Sequence, residues 1–411
     1  MNEMKRYRIP RLAFFLPTPG GLTGAPRRVL TLMVALRDRG RFDVALVADP
    51  SDRLAQEAAR AGIRVLSVPI GPILAMKHGA LLSGTIGFRG RVAWELVQYN
   101  HRMVRALRGY RPDAIWIRGG KGIALGGLAA FVLRCPMVWD IDYELPSRGV
   151  VARLHDLGLW LGDKVVLQYA AASERIFGLN RARKFQEKFD ALIPGIDLER
   201  LRPYREARTR QGANTAPSGV FRILQVGTIC DRKNQRFTLR VMYELRRYYP
   251  DLKCELWIAG DEYEADYAAA VRRDLIQLGL SETVKMLGWR DDIAELMARA
   301  DLFVFPSKDE GVPNAVQEAM YIGCPVLASD AGGIPAIVEN GRTGWVLPID
   351  SPSAWAHKIA YLITRPEIRL QVAQEATYYA ERTFDVKEWA TRYEEIFARL
   401  IEGSGQINRA T

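Results

Sequence analysis

Two carboxylates stand eight residues apart, Glu310 and Glu318, in the segment DLFVFPSKDEGVPNAVQEAMYIGCPVLASD. The apolar run DLFVFPS reads as a strand and VPNAVQEAMYIG as the helix after it. Glu310 then falls in the loop between them and Glu318 inside the helix. The backbone N–H groups from Gly311 to Ala315, Pro313 excepted, open that helix, so Val312, Pro313 and Asn314 mark its start. Helix-opening amides lack intrahelical acceptors, and the dipole there favours an anion such as a diphosphate. A carboxylate beside a diphosphate is useful when it faces something neutral. Sugar and ribose hydroxyls qualify, because they donate hydrogen bonds to carboxylates. Taken alone, the two glutamates would do no more than complement the helix dipole, worth roughly 0.3–1 kcal/mol.

Three further groups of residues carry chemistry. Arg232 and Lys233 sit in VGTICDRKNQ, between a strand and a helix. Two cations at a helix opening oppose its dipole. They are either solvated at the surface or neutralised by a bound diphosphate. Gly20 and Gly21 lie in PTPGGLTGAPRRV. Glycine there lets backbone approach a phosphate or an acceptor, or serves a tight turn. The pattern is not G-x-G-x-x-G, so a nicotinamide-type fingerprint is not met. In PMVWDIDYE, Asp140, Asp142 and Glu144 share one face at period two. They would meet acceptor hydroxyls or end a solvated strand. His155 falls within a helical pattern and reads as structural.

The elements that position these residues alternate. LAFFL is a strand, PRRVLTLMVALRDRG a helix with Val29, Leu32, Met33 and Leu36 on one face, and DVALVAD and IRVLSVPI are strands. A helix over 92–111 leads to the strand DAIWIRG, and GIALGGLAAFVLR to PMVWDID. Residues 203–220 are polar with Gly, Ser and Pro and read as a linker. The rhythm then restarts with FRILQVG, KCELWIAGD, VKMLGW, DLFVFPS and PVLASD as strands between helices. The fold class is α/β, with two doubly wound Rossmann-like domains in tandem. The boundaries are 1–203, 204–390 and a C-terminal helix over 391–411. Trp389, Tyr393 and Phe397 form an apolar helical stripe in the stretch from Phe384 to Ile401.

The segment Glu310-Gly-Val-Pro-Asn-Ala-Val-Gln-Glu318-Ala-Met-Tyr-Ile-Gly323-Cys-Pro325-Val resembles the E-x7-E region of the retaining family 4 glycosyltransferases of GT-B fold. GGIPAIVENGRTGWVL, from Gly332 to Leu347, fits the same pattern. The resemblance covers most of 221–400 and is traceable before 200. It implies that the first domain takes the acceptor and the second the nucleotide-sugar donor across a central cleft, with the C-terminal helix returning to the first domain. It implies that Glu310 contacts the donor sugar, Glu318 the ribose, and Lys233, six residues after Gly227, the diphosphate. The family often has Arg directly after that glycine and this chain has Thr228, so either Arg232 substitutes for it or the diphosphate is less fully neutralised. Backbone around Leu287, before Gly288 and Trp289, would contact the nucleobase, with Trp289 itself read as core. Gly21 would approach the donor. Asp142 stands where the family carries a His near the anomeric carbon, and is the third catalytic candidate beside Lys233 and Glu310. The implied reaction needs no metal and no cofactor, only a UDP- or GDP-type sugar donor. D-I-D leaves open the metal-binding D-x-D of the other glycosyltransferase fold. The departures at Thr228 and Asp142 leave open a non-catalytic sugar-nucleotide-binding subunit or a GT-B-fold epimerase.

Composition sets the outer limits. The chain has 411 residues, 48% of them apolar and 26% charged, which excludes a disordered or fibrous chain. Four cysteines without C-x-x-C spacing argue against a disulfide framework or a zinc site and for a reducing cytoplasm. Neither a signal segment nor a membrane span is expected. Residues 1–200 carry 31 Lys and Arg against 18 Asp and Glu, the remainder 27 against 29. The basic half, with Arg102, Arg105 and Arg108 near one helix face, suits an anionic membrane surface, where a lipid-linked acceptor or growing glycan would lie. No nucleic-acid motif accompanies the charge, so nucleic acid is not an expected partner.

Overall fold

The computed structural model describes residues 8–17, 24–76, 86–141, 149–211 and 219–407. Two units emerge. Unit 1 comprises residues 1–195 together with 386–411, and unit 2 comprises Ile196–Asp385.

Unit 1 is built on a seven-stranded parallel sheet. Its strands are β1 (Arg11–Phe15), β2 (Asp43–Ala48), β3 (Arg64–Ser67), β4 (Ala114–Arg118), β5 (Met137–Ile141), β6 (Lys164–Leu167) and β7 (Phe189–Ala191), in the order β3-β2-β1-β4-β5-β6-β7. Every residue of β4 and β5 is buried, as a sheet covered on both faces requires. Parallel crossovers are right-handed, so the direction of travel along the sheet decides which face each helix covers. Helices Ala25–Asp38 and Arg53–Arg60 cover one face. Helices Ile86–Tyr110, Gly119–Gly122 with Leu128–Val132, and Gly149–Leu161 cover the other. Val29, Leu32, Met33 and Leu36 are all fully buried, as their 3.6-residue spacing predicts. On the second face a π-turn at Ile123–Gly127 presses Gly126 against the sheet. A Cβ there would lie 2.7 Å from Phe15 and 2.9 Å from Met103, so no larger residue fits without displacement.

The helix Val386–Ile407 packs beside Ala25–Asp38. Trp389, Tyr393 and Phe397 join Phe14 and Trp116 in one core, with Phe14 and Phe397 edge-to-face at 6.1 Å. The chain thus returns to unit 1 at Val386, where the sequence pattern places the helix at 391–411.

Unit 2 holds a six-stranded parallel sheet of β8 (Phe221–Val226), β9 (Cys254–Ala259), β10 (Val284–Gly288), β11 (Leu302–Phe305), β12 (Val326–Ser329) and β13 (Trp345–Leu347), ordered β10-β9-β8-β11-β12-β13. The expected linker at 203–220 is corrected in its first part: Leu198–Gln211 is a helix that runs through Pro203. Arg and Glu are good helix formers, and tertiary contacts hold this polar helix in place. Arg208 donates to the carbonyls of Ala300 at 2.6 Å and Gly323 at 2.8 Å, the ends of helices Ile293–Arg299 and Asn314–Ile322. A cation is favoured at such carbonyl-rich ends. Asp197 accepts from Arg200 N at 3.0 Å at the start of the same helix, which gives it a turn-closing role. The four cysteines are free.

Candidate active site

In open parallel sheets, ligands bind outside the carboxyl ends of strands where the strand order reverses. In unit 2 that point lies between β8 and β11. Arg232 and Lys233 follow β8 in a single 3-10 turn, Asp231–Lys233, and Glu310 follows β11. The structure brings these three residues together. Glu310 Oε1 accepts from Arg232 Nη1 at 2.5 Å, Lys233 Nζ at 2.6 Å and Ser307 Oγ at 2.6 Å. Among the described residues no donor meets Oε2 of Glu310, which keeps that oxygen available to a hydroxyl.

Local chemistry fixes this convergence. Gly227, at φ +148°, follows β8, and a Cβ there would sit 3.2 Å from the Lys233 stem. Asn234 is left-handed at φ +58° and turns the chain into helix Gln235–Tyr248. Gln225 holds the Lys233 carbonyl at 2.9 Å, and Lys308 N holds that of Arg232 at 2.8 Å. The Lys233 ammonium also lies 4.5 Å from the Phe305 ring centroid. The Ser307 hydroxyl faces two acceptors, Glu310 and the Arg232 carbonyl at 2.9 Å, and its own carbonyl is held by Ser329 at 2.6 Å. Ser307 and Phe305 carried no signal in the sequence pattern beyond their place at the end of the strand.

Electrostatics follow from burial and pairing. Glu310 is 7% exposed. Burial works against its charge, yet Lys233, Arg232 and the Ser307 hydroxyl outweigh it and hold the carboxyl below its usual 4.5. Burial pushes the Lys233 ammonium down, Arg232 adds to that, and Glu310 opposes both. A depressed carboxylate contributes stability that is present above its unfolded value and lost as pH falls through its folded value. The stability difference between the wild type and Glu310→Gln is therefore expected to be constant above about pH 5 and to narrow as pH drops below 4.5. Urea unfolding across that range measures it, and a difference independent of pH would contradict the ionised state.

The helix Asn314–Ile322 begins after Pro313 with no side-chain cap and no acid in its first turn. Val312 and Pro313 are buried behind it, and Asn314 is half-buried at its start. Glu318, one turn in, pairs with Arg200 Nη2 at 2.8 Å. Leu287 is half-buried at the end of β10, where Gly260 N donates to the Gly288 carbonyl at 2.8 Å. The reading of Trp289 as core is corrected: it is 58% exposed at the carboxyl edge of the sheet. A larger cavity of about 510 Å³ in unit 2 lies elsewhere, lined by Arg205, Arg208 and Arg369. Their guanidiniums serve Glu381, helix-end carbonyls and the Leu362 and Ile363 carbonyls, so it does not share this chemistry.

In unit 1 the candidates fare differently. Gly20, Gly21, Asp142 and Glu144 lie outside the described residues. Asp140 is corrected as an acceptor-binding or metal-binding group. It is 4% exposed, pairs with Arg118 Nη1 at 2.7 Å and accepts from the Tyr393 hydroxyl. His155 is fully buried against Trp139 and Phe177, in the structural role expected. Among the described residues no three His, Cys, Asp or Glu side chains gather as a metal site. Unit 1 has its own point of strand reversal, between β1 and β4. A crevice of about 230 Å³ opens there, with Asp49, Asp52, Tyr99 and Lys121 on its walls.

Residues 23–193 match the family described as "Glycosyl transferase 4-like domain", and residues 220–365 that described as "Glycosyl transferases group 1". The chain belongs to the family 4 glycosyltransferases. It is 25% identical over 230 residues to the D-inositol 3-phosphate glycosyltransferase of Corynebacterium efficiens, 54% of each chain. With the protein of that name from Streptomyces avermitilis it shares 25% over 429 residues, 91% of this chain and 88% of the other. The matches to the Corynebacterium efficiens and Saccharomonospora viridis proteins span about half of those relatives' length, 54% and 45%. Among solved structures, Anabaena Alr3699/HepE in complex with UDP and glucose superposes with a TM-score of 0.75 at 22% identity, covering 95% of this chain and 100% of that one. A glycosyltransferase from Rickettsia africae does so at 0.76 and 14%, covering 96% and 99%. These likenesses show the GT-B fold.

Proposed function

We propose that this glycosyltransferase moves a sugar from a nucleoside diphosphate sugar to an acceptor hydroxyl with retention of configuration. The observation that carries the reading is the convergence of Arg232, Lys233 and Ser307 on Glu310 at the strand reversal of unit 2. In this reading unit 2 is the donor unit. Lys233 and Arg232 stabilise charge that develops on the departing diphosphate, with the helix opening at Asn314 beside them. Arg232 reaches the same carboxylate oxygen as Lys233, which supports its standing in for the arginine absent at Thr228. Glu310 orients the sugar through its second oxygen, and Glu318 takes the ribose hydroxyls in exchange for part of its contact with Arg200. Backbone at Leu287 meets the base. The relative bound to UDP and glucose supports a uridine donor.

Unit 1 is the acceptor unit in this reading, and Asp142 and Gly21 keep the roles that the family resemblance gives them. The crevice between β1 and β4 offers carboxylates, an ammonium and a tyrosine, a set suited to a polyol. Relatives named for D-inositol 3-phosphate support an acceptor of that chemistry. The setting we propose is glycan or lipid-linked glycan assembly at the cytoplasmic membrane face. No helix among the described residues is long and apolar enough to cross a membrane.

Thermal shift against UDP, GDP and their sugars, without metal and then with Mn²⁺, tests the donor assignment. The expected result is a metal-free rise in melting temperature with one diphosphate series, by mass action. Product analysis then separates transfer from epimerisation. No shift with any nucleotide, in folded protein, would reject the donor site, and a shift without transfer or epimerisation would favour a non-catalytic sugar-nucleotide-binding subunit.

A further inference from the structure

The three helical segments that share the second face of unit 1 carry an outer surface of unusual composition. Trp94 and Val97 on Ile86–Tyr110 are 65% and 61% exposed. Leu128, Phe131 and Val132 on the short helix beside it are about half exposed, and Trp160 on Gly149–Leu161 is 62% exposed. Phe131 and Trp160 touch, with ring centroids 5.1 Å apart. Exposed apolar residues scattered singly need no explanation, but Phe131 and Trp160 in contact across adjacent helices, with Leu128 and Val132 beside Phe131 in sequence and Trp94 and Val97 exposed on the neighbouring helix, mark an interaction surface.

Charge narrows the partner. Residues 86–110, 119–134 and 149–161 hold eight Lys and Arg against two acidic residues. Arg91, Arg105, Arg108, Arg134 and Arg153 are exposed in the same segments. The two acids do not offset them: Glu95 turns inward against Gly71, and Asp156 pairs with Arg181 at 2.6 Å. We infer that this helical face docks on an anionic lipid bilayer, Trp94, Phe131 and Trp160 entering the headgroup boundary and the arginines meeting lipid phosphates. Aromatic rings with one wet edge favour that depth, and each nearby cation adds attraction to anionic lipid. A second copy of the chain is a poorer occupant, because a symmetric contact would set the arginines of one face against those of the other. The proposal deepens the membrane-face setting above. Its test uses no substrate, so its failure leaves the donor site untouched.

The full chain is sedimented with phosphatidylcholine vesicles, either pure or with about 30% phosphatidylglycerol. The wild type is expected to pellet with the anionic vesicles and to be released by salt. The triple variant Trp94→Ser, Phe131→Ser, Trp160→Ser and the pair Arg105→Glu, Arg108→Glu are each expected to bind at least about tenfold more weakly. Their thermal shift with nucleotide should match the wild type. The arginine pair changes only exposed side chains, so the test survives if the triple variant does not fold. Wild type left in the supernatant with anionic vesicles overturns the proposal, as does undiminished binding by the arginine pair. A dimer in lipid-free solution that the triple variant abolishes would also overturn it, by giving the face to a second copy.

Discussion

Lys233→Met is expected to lower kcat for transfer about 10²- to 10³-fold while leaving the melting temperature nearly unchanged. Methionine keeps a stem beside Gly227 and over the Phe305 ring, so packing is retained and the charge is lost. Arg232 and Ser307 still reach Glu310, so the carboxylate keeps partners in the variant. The loss should therefore fall on the departing diphosphate and not on the fold. Release of nucleoside diphosphate at saturating donor measures it, with nucleotide affinity followed separately. A kcat within about threefold of the wild type would remove Lys233 from the reaction. Glu310→Ala is expected to lose most transfer too, through the sugar's orientation.

The largest effect on stability is expected at the other sheet. Arg118 and Asp140 form an ion pair whose side chains are 3% and 6% exposed, with Tyr393 as a further partner of the carboxylate. Arg118→Leu leaves that carboxylate buried without its cation. Breaking such a pair from one side costs about 3–5 kcal/mol. The double change Arg118→Leu, Asp140→Leu removes both charges and should recover much of the loss. Urea midpoints for the single and double variants decide the matter. A single variant within about 1 kcal/mol of the wild type would show that the other partners of Asp140, Tyr393 among them, satisfy it without Arg118.

What was legible in the chain, and what was not, follows from how each residue is held. Val29, Leu32, Met33 and Leu36 announce a helix face because burial imposes a period on neighbours in sequence. Glu310 and Lys233 lie 77 residues apart, yet each stands at a strand-to-helix loop, and the α/β alternation alone places such loops at one end of a sheet. Ser307 is silent, since a serine after a strand has many uses and its role exists only once Glu310 and Arg232 surround it. Asp140 reads as a cleft group or a solvated strand end because its alternation with Asp142 and Glu144 is local. The partner that buries it, Tyr393, arrives from 253 residues away. Trp289 was read as core because hydrophobicity says nothing of edge against centre. The helix at Leu198–Gln211 looked like a linker because its polar arginines find their acceptors in carbonyls of other helices, which no spacing rule reveals.

The return of Val386–Ile407 to unit 1 has a consequence for synthesis. During translation the first sheet emerges with Phe14 and Trp116 still lacking Tyr393 and Phe397, and with Asp140 lacking one of its partners. All of Ile196–Asp385 must leave the ribosome before that core can close. Unit 2 is continuous in sequence, and its ends meet through the hydrogen bond from Ile196 N to the Phe384 carbonyl at 2.8 Å, so it can complete itself first. The core of the first unit thus waits on a segment that follows the whole of the second, and a chain truncated after Asp385 would hold a complete second unit together with an open first one.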